Sequence, residues 1–267
     1  MRVTLAQVAA TLDGAVNRAL LKGAVTEAAR QAADLVVLPE YASGFDPRGP
    51  RADLAEAIDG PYVTAMRALA VEHGVTAAAG VTVAGLGAGD EARASNALVV
   101  VGPDGEIAAD YRKVHLYDAF GAQESSVLVP GDPDAPVPVV AVAGLSVGFL
   151  TCYDLRFPES ARRLVDAGAE LIVVPAAWAA GVGKAEQWRL LGRARAVENV
   201  SVLAAVGMAG IGVTARSFVV APDGAVVAEL GKEPALVTVD VEPSVIAEAR
   251  RLNPSLDNRR YTVVSRA

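Results

Sequence analysis

The chain has 267 residues and a net charge of −7, from 24 basic and 31 acidic side chains, and 52% of it is hydrophobic. That is enough apolar material for one large domain or two small ones. The acidic balance argues against general binding to nucleic acid or anionic membranes. No apolar run reaches the length of a membrane span, and residues 1–8 lack the order of a signal peptide.

Residues 3–8 read as a first strand. A helical pattern covers 15–33, followed by a short apolar run at 35–38, a helix over 62–73, and strands at 75–83 and 97–101. Further strands are predicted at 146–151, 171–175, 202–206, 217–221 and 236–240, each short and rich in β-branched residues. Helices over 158–167, 184–199 and 243–251 lie between or after them, and Gly168 reads as a helix stop. Pro-Asp-Gly occurs at 103–105 and 222–224, each time between β-like runs, so both read as hairpin turns. The hairpins, 97–107 and 217–228, hold comparable places in the two halves. They suggest a duplicated α/β arrangement of two facing sheets with helices outside. Strands apolar on both faces must be covered twice, which fits such a sandwich. No linker or low-complexity tract divides the chain, which reads as one domain. The glycine-rich stretch 85–90 lacks the strand–loop–helix context of a phosphate loop and is expected to join two strands.

Cys152 is the single cysteine. It cannot form an internal disulfide, and with only two histidines a zinc cage lacks ligands. An unpaired thiol suits a reducing, cytoplasmic compartment. Most free cysteines are small buried hydrophobes, but this one ends an apolar run at a strand–helix junction, where a thiol can be held rigidly towards a cleft. Three charged residues also sit in unusual places. Glu40 follows the apolar run 35–38 and a proline, at the kind of sheet edge where sites form. Lys113 lies just after the first hairpin, next to the apolar Val114, and Glu124 precedes a Pro- and Gly-rich loop. Individually Glu40 reads equally well as a helix-capping or surface charge, and Lys113 and Glu124 read more readily as ordinary solvated charges. Together they are the parts of a hydrolase: a sulfur nucleophile, a carboxylate to take and return its proton, and a cation to hold an oxyanion.

The blocks Leu38-Pro39-Glu40, Tyr111-Arg112-Lys113-Val114-His115-Leu116 and Cys152-Tyr153-Asp154-Leu155-Arg156-Phe157-Pro158-Glu159, in this order, resemble the nitrilase superfamily of carbon–nitrogen hydrolases. Val174-Pro175-Ala176-Ala177-Trp178 and the segment 188–199 add to the resemblance. It implies an αββα sandwich that pairs into an αββα–αββα homodimer, with the helix from Pro158 and the segment 243–267 at the interface. It also implies a Glu40–Lys113–Cys152 triad assisted by Glu124, an oxyanion hole of Lys113 and the Tyr153 backbone N–H, and hydrolysis of a small amide by water without metal or organic cofactor. Residues 113–125 and 152–159 and the tail 256–261 are similar to the deaminated glutathione amidase branch. Gln187, where many relatives carry His, and Arg216, where His or Gln is usual, depart from it near the expected pocket. Arg156, Trp178 and Tyr117 are candidate substrate-binding residues. Related carbamoyl-amino-acid hydrolases use an arginine near position 156 to hold a carboxylate, while an ion pair with Asp154 or Glu159 is the stronger reading for Arg156. Arg193 and Arg195 are expected to pair with Glu186 or Glu198 on different faces of one helix, and His115 to be a packed structural residue. The competing readings are an N-carbamoyl amino acid hydrolase, an ω-amidase or a nitrilase, and, in another class, a catalytically silent scaffold or binding subunit.

Overall fold

A computed structural model describes residues 1–85 and 93–266. Two six-stranded sheets form the middle of the molecule. The first runs β12-β1-β2-β3-β4-β5, from β1 (Arg2–Gln7), β2 (Leu35–Val37), β3 (Thr76–Val83), β4 (Ser95–Val101), β5 (Ile107–Arg112) and β12 (Ala235–Asp240). The second runs β11-β10-β9-β8-β7-β6, from β6 (Val139–Val142), β7 (Leu145–Phe149), β8 (Leu171–Ala176), β9 (Val202–Gly207), β10 (Phe218–Val220) and β11 (Val226–Glu229).

Each sheet has the same plan. Three central strands are parallel, β1-β2-β3 and β7-β8-β9. One edge ends in an antiparallel strand, β12 or β6, and the other in a hairpin, β4-β5 or β10-β11. The duplication expected from the two Pro-Asp-Gly turns is present. Strand β6 was not anticipated; it is short, only half-buried and preceded by Pro136 and Pro138, which dilute its pattern.

Side-chain alternation explains the layers. Leu35 and Val37 point inward with Val3, Leu5 and Val100 to meet Val147, Phe149, Val173 and Val206 of the other sheet. Val36 and Leu38 point outward onto Leu21, Val25, Tyr62 and Met66 of α1 (Gly14–Arg30) and α2 (Pro61–His73). Ile172, Val174 and Leu203 likewise meet Leu164 and Trp188 of α3 (Pro158–Asp166) and α4 (Lys184–Asn199). A strand buried on both faces must be apolar at every position, and β2, β3, β8 and β9 are buried throughout.

Local signals set the helix ends. Asp13 caps α1 by accepting from the Ala15 and Val16 amides. Pro61, Pro158 and Pro243 open α2, α3 and α5 (Pro243–Leu252) at a position whose N–H would have no partner. Gly74 ends α2 in the left-handed region. Beyond α5 the tail turns back: Arg259 pairs with Asp166 at 2.5 Å and Ser265 bonds Asp134 at 2.6 Å. Among the described residues no helix is long and apolar enough to cross a membrane. The glycine-rich stretch 85–90 lies, from residue 86 onward, outside the described residues.

Candidate active site

Glu40, Lys113 and Cys152 all sit one to three residues past the C-terminal end of a strand: β2, β5 and β7. Strand ends are where backbone leaves the ladder and side chains can converge. Here they converge between the two sheets. Lys113 Nζ lies 2.9 Å from Glu40 Oε1 and 2.8 Å from Glu124 Oε2. The Lys113 and Glu40 side chains are each 1% exposed. The Cys152 thiol lies within the electrostatic field of both Glu40 and Lys113. Glu40, Glu124 and Cys152 line one cavity of about 380 Å³, together with Tyr117, Tyr153, Arg156, Trp178 and Lys184.

Each member is fixed by further contacts. Glu40 Oε1 also accepts from Asn96 Nδ2 at 2.7 Å, and Oε2 accepts from the Ala177 amide at 2.7 Å, across from the other sheet. Glu124 Oε1 accepts from the Tyr41 hydroxyl at 2.8 Å and Oε2 from the Tyr117 amide at 2.7 Å. Gly80 of β3 passes directly beneath Glu40: its amide donates to Pro39, its carbonyl accepts from Ala42, and a Cβ there would overlap the Glu40 backbone.

Cys152 adopts a left-handed backbone, φ +45°, at the start of a short 3-10 helix, Cys152–Arg156. A non-glycine residue holds that conformation only where its surroundings impose it, at a cost of about 1–2 kcal/mol. Asp154 helps to impose it. Fully buried, its carboxylate accepts from the Thr151 amide (3.1 Å), the Tyr111 hydroxyl (2.8 Å) and the His115 amide (3.1 Å), and bonds His115 Nδ1 (2.7 Å). Tyr111 and His115 flank Lys113 by two residues on either side, so one carboxylate joins the lysine segment to the nucleophile segment. The Tyr153 amide is the second of that helix, in the first turn, where an N–H has no intrahelical acceptor.

Burial pushes the Cys152 thiol well above its usual pKa; the Glu40 charge adds to the rise, and Lys113 opposes it. The resting sulfur is therefore a thiol facing a carboxylate, rather than a preformed thiolate. Burial alone would lower Lys113, but Glu40 and Glu124 outweigh it and hold the ammonium charged. Burial, followed by the Glu124 charge, keeps the Tyr41 hydroxyl protonated, so it donates.

The remaining expectations divide. Tyr117 and Trp178 line the cavity; Trp178 is also core, packed on Trp188 at 5.2 Å with its Nε1 donating to the Lys184 carbonyl. Arg195 pairs with Glu198 at 2.8 Å as expected, whereas Arg193 donates to the Gly224 carbonyl instead. His115 packs on Phe157, ring centroids 3.7 Å apart. Arg156 pairs with neither Asp154 nor Glu159: its Nη2 donates to Gln187 Oε1 at 2.7 Å and its guanidinium lies 4.9 Å from the Trp178 ring. Asp154 is unavailable to it because its oxygens are already taken. Tyr41, Asn96, Asp154 and Lys184 were not anticipated. Of these only Tyr41, next to Glu40 in sequence, lay beside a recognised block outside the nucleophile motif.

The chain matches the carbon–nitrogen hydrolase family over residues 2–251. It is 40% identical to a hydrolase of Mycobacterium tuberculosis over 267 residues, covering 94% of this chain and 92% of the relative. It is 34% identical to the deaminated glutathione amidase of Escherichia coli O157:H7, covering 98% of each. The amidase of Nesterenkonia sp. AN1 superposes with a TM-score of 0.78 at 30% identity, over 97% of this chain and all (100%) of that one. Two sheets flanked by helices, shared over this length, leave one assignment: the chain belongs to the carbon–nitrogen hydrolase family of the nitrilase superfamily and is an amidase that hydrolyses C–N bonds.

Proposed function

We propose that Cys152 is the nucleophile of an amide hydrolysis that runs through a thioester, with Glu40 as its acid–base group. The observation that carries this reading is the buried Glu40–Lys113–Glu124 ion-pair cluster, whose two carboxylates line one cavity with the Cys152 thiol. Glu40 takes the thiol proton as sulfur attacks the carbonyl carbon. The Lys113 ammonium and the Tyr153 N–H hold the tetrahedral oxyanion, each such donor being worth roughly 3–4 kcal/mol of barrier. Glu40 returns the proton to the departing amine, leaving a Cys152 thioester. Glu40 then takes a proton from water, hydroxide attacks the thioester, and the sulfur leaves as the thiol with that proton. Glu124 keeps Lys113 in place. A glutamate-to-glutamine mutant of the Nesterenkonia amidase carries the acetamide moiety of fluoroacetamide on its active-site cysteine, which supports sulfur as the attacking atom here.

The substrate in this reading is a small amide bearing a carboxylate, met by Arg156; deaminated glutathione, the substrate named for the Escherichia coli relative, is one candidate. The enzyme works as a cytoplasmic homodimer, with α3 and the segment 243–267 at the interface. A groove of about 810 Å³ between α3, residues 132–139 and the tail 263–266 is the surface available for that pairing. The reading is tested by ammonia release from deaminated glutathione, short ω-amides, carbamoyl amino acids and nitriles. The wild type should release ammonia from an amide, and a thioester adduct should appear by mass spectrometry. Cys152→Ala should release none; retained turnover in that variant removes the nucleophile assignment. Carbon dioxide released with the ammonia would move the enzyme to the carbamoylase branch.

A further inference from the structure

We propose that Lys184 is a specificity-determining residue: with Arg156 it clamps the free carboxylate of the amide substrate at the mouth of the catalytic cavity. This rests on the amidase reading and adds a second cation to it. Lys184 is the first residue of α4 and is only 8% exposed. Lysines that deep ordinarily face a carboxylate. Among the described residues, neither Lys184 nor Arg156 does. Lys184 Nζ bonds the neutral Tyr117 hydroxyl at 3.1 Å, and Arg156 Nη2 the neutral Gln187 amide oxygen at 2.7 Å. The Arg156 Nε is buried with no hydrogen-bond partner.

Both cations also converge on one ring. Lys184 Nζ lies 3.3 Å from the Phe120 centroid and the Arg156 Cζ 5.8 Å from it. Neutral acceptors and aromatic faces orient these groups without neutralising them. Two like charges gathered around one ring repel, and an anion between them removes that repulsion. The other cavity cations are not available for this. Arg48 is held by Asp46 at 2.6 Å and Arg51 by Asp53 at 2.5 Å, while Glu40 and Glu124 are engaged with Lys113 at the floor. The clamp is built into the backbone as well. Gly181 and Gly183, at φ +154° and +71°, turn the chain into α4, and Trp178 Nε1 holds the Lys184 carbonyl at 3.1 Å. Gln187 and Lys184 lie three residues apart on one face of α4, so a single helix end steers both cations. A carboxylate has two oxygens, one for each cation, and its amide would then reach inward to Cys152. The substrate class is the monoamide of a short dicarboxylic acid.

The test compares glutaric acid monoamide with its uncharged analogue pentanamide. Calorimetric binding is measured on Cys152→Ala and on Cys152→Ala carrying Lys184→Met, with Lys184→Gln as a second replacement checked for the same melting temperature. Ammonia release from both amides is measured on enzymes that retain Cys152. The Lys184 protein should prefer the charged amide, and both replacements should cut that charged-to-neutral preference at least tenfold, through KM rather than kcat. No preference for the charged amide, or an equal loss on both amides, overturns the clamp. If binding of the monoamide depends on Lys184 but the Cys152 enzyme releases no ammonia from it, the clamp stands and the amidase reading falls. If ammonia is released from both amides with a preference indifferent to Lys184, the reading stands and the clamp falls.

Discussion

Asp154→Asn isolates the join between the two catalytic segments. The aspartate oxygens receive the Thr151 amide and Tyr111 hydroxyl on one side and the His115 amide and ring on the other. An asparagine of the same shape keeps one acceptor oxygen and turns the other into a donor. Either orientation then sets an NH2 group against a buried backbone N–H. The loss has two parts: a charge-assisted hydrogen bond, about 1.5–3 kcal/mol, and a buried donor left unpaired, about 1–3 kcal/mol. A central value of about 4 kcal/mol corresponds to a fall of roughly 8–16 °C in melting temperature for a domain this large. The loosened segments carry Lys113 and Cys152, and misplacing reacting groups by about 1 Å costs on the order of a hundredfold in rate. Thermal melting and steady-state ammonia release, measured below the melting point, read the two effects separately. The expected result is a large fall in kcat with KM little changed. Tyr111→Phe removes only one of the four bonds and should cost about a quarter to a half as much stability. An Asp154→Asn enzyme with wild-type melting and wild-type kcat would show that the carboxylate joins nothing of consequence.

Three further outcomes follow from the same geometry. In Glu40→Gln the second-largest cause raising the Cys152 pKa is gone while Lys113 still lowers it; the pH profile of iodoacetamide alkylation should move to lower pH although ammonia release is lost, and a profile shifted upward contradicts the assigned sign. Lys113→Met leaves Glu40 and Glu124 without their shared cation in a buried site, a loss of about 3–5 kcal/mol that thermal melting should register; an unchanged melting temperature contradicts it. Gly80→Ala forces a methyl against the Glu40 backbone, so kcat should fall by more than tenfold with only modest loss of secondary structure by circular dichroism, and wild-type kcat would show that the close approach is not needed.

The sandwich was legible because burial on both faces leaves a plain mark. Leu35–Leu38 is apolar at every position, as a strand covered on both faces requires. The same mark exposed Glu40: a carboxylate directly after such a strand contrasts with what precedes it. Cys152 was legible for a related reason, ending a β-like run with a chemical group the run does not call for, whereas Lys113 stood out through the block Tyr111–Leu116 that carries the family resemblance. What stayed hidden depends on pairing across distance. The Tyr41 hydroxyl meets Glu124, 83 residues away, and the Asn96 amide meets Glu40 at a separation of 56. Neither has a local signature, since a buried Tyr or Asn in a strand region is usually core or turn. Arg156 shows the opposite error. Its nearest acidic neighbours in sequence, Asp154 and Glu159, looked like partners, but Asp154 turns inward with both oxygens occupied, and Gln187 from α4 takes the guanidinium. Local spacing ranks neighbours by sequence, and the 3-10 turn after Cys152 reorders them in space.

In the proposed mechanism, the charges at the floor of the cavity give a reason for a thiol used with a carboxylate rather than as a ready thiolate. Glu40, Lys113 and Glu124 together hold two acidic groups and one basic group out of water. A thiolate beside them would be a third acidic charge against a single cation, and burial makes that excess costly. Sulfur therefore keeps its proton until an electrophilic carbon is within reach, at which point negative charge passes to the carbonyl oxygen beside Lys113. The fixed ammonium is worth most at that moment, because it stabilises charge that exists in the transition state and is absent from the resting site. The same balance accounts for the mouth. With the floor rich in acid, a carboxylate-bearing amide entering in reverse would set its anion against Glu40 and Glu124, while the unpaired cations Lys184 and Arg156 attract it at the rim. Under the proposed clamp, the cavity's polarity thus selects which end of such a substrate would arrive at Cys152.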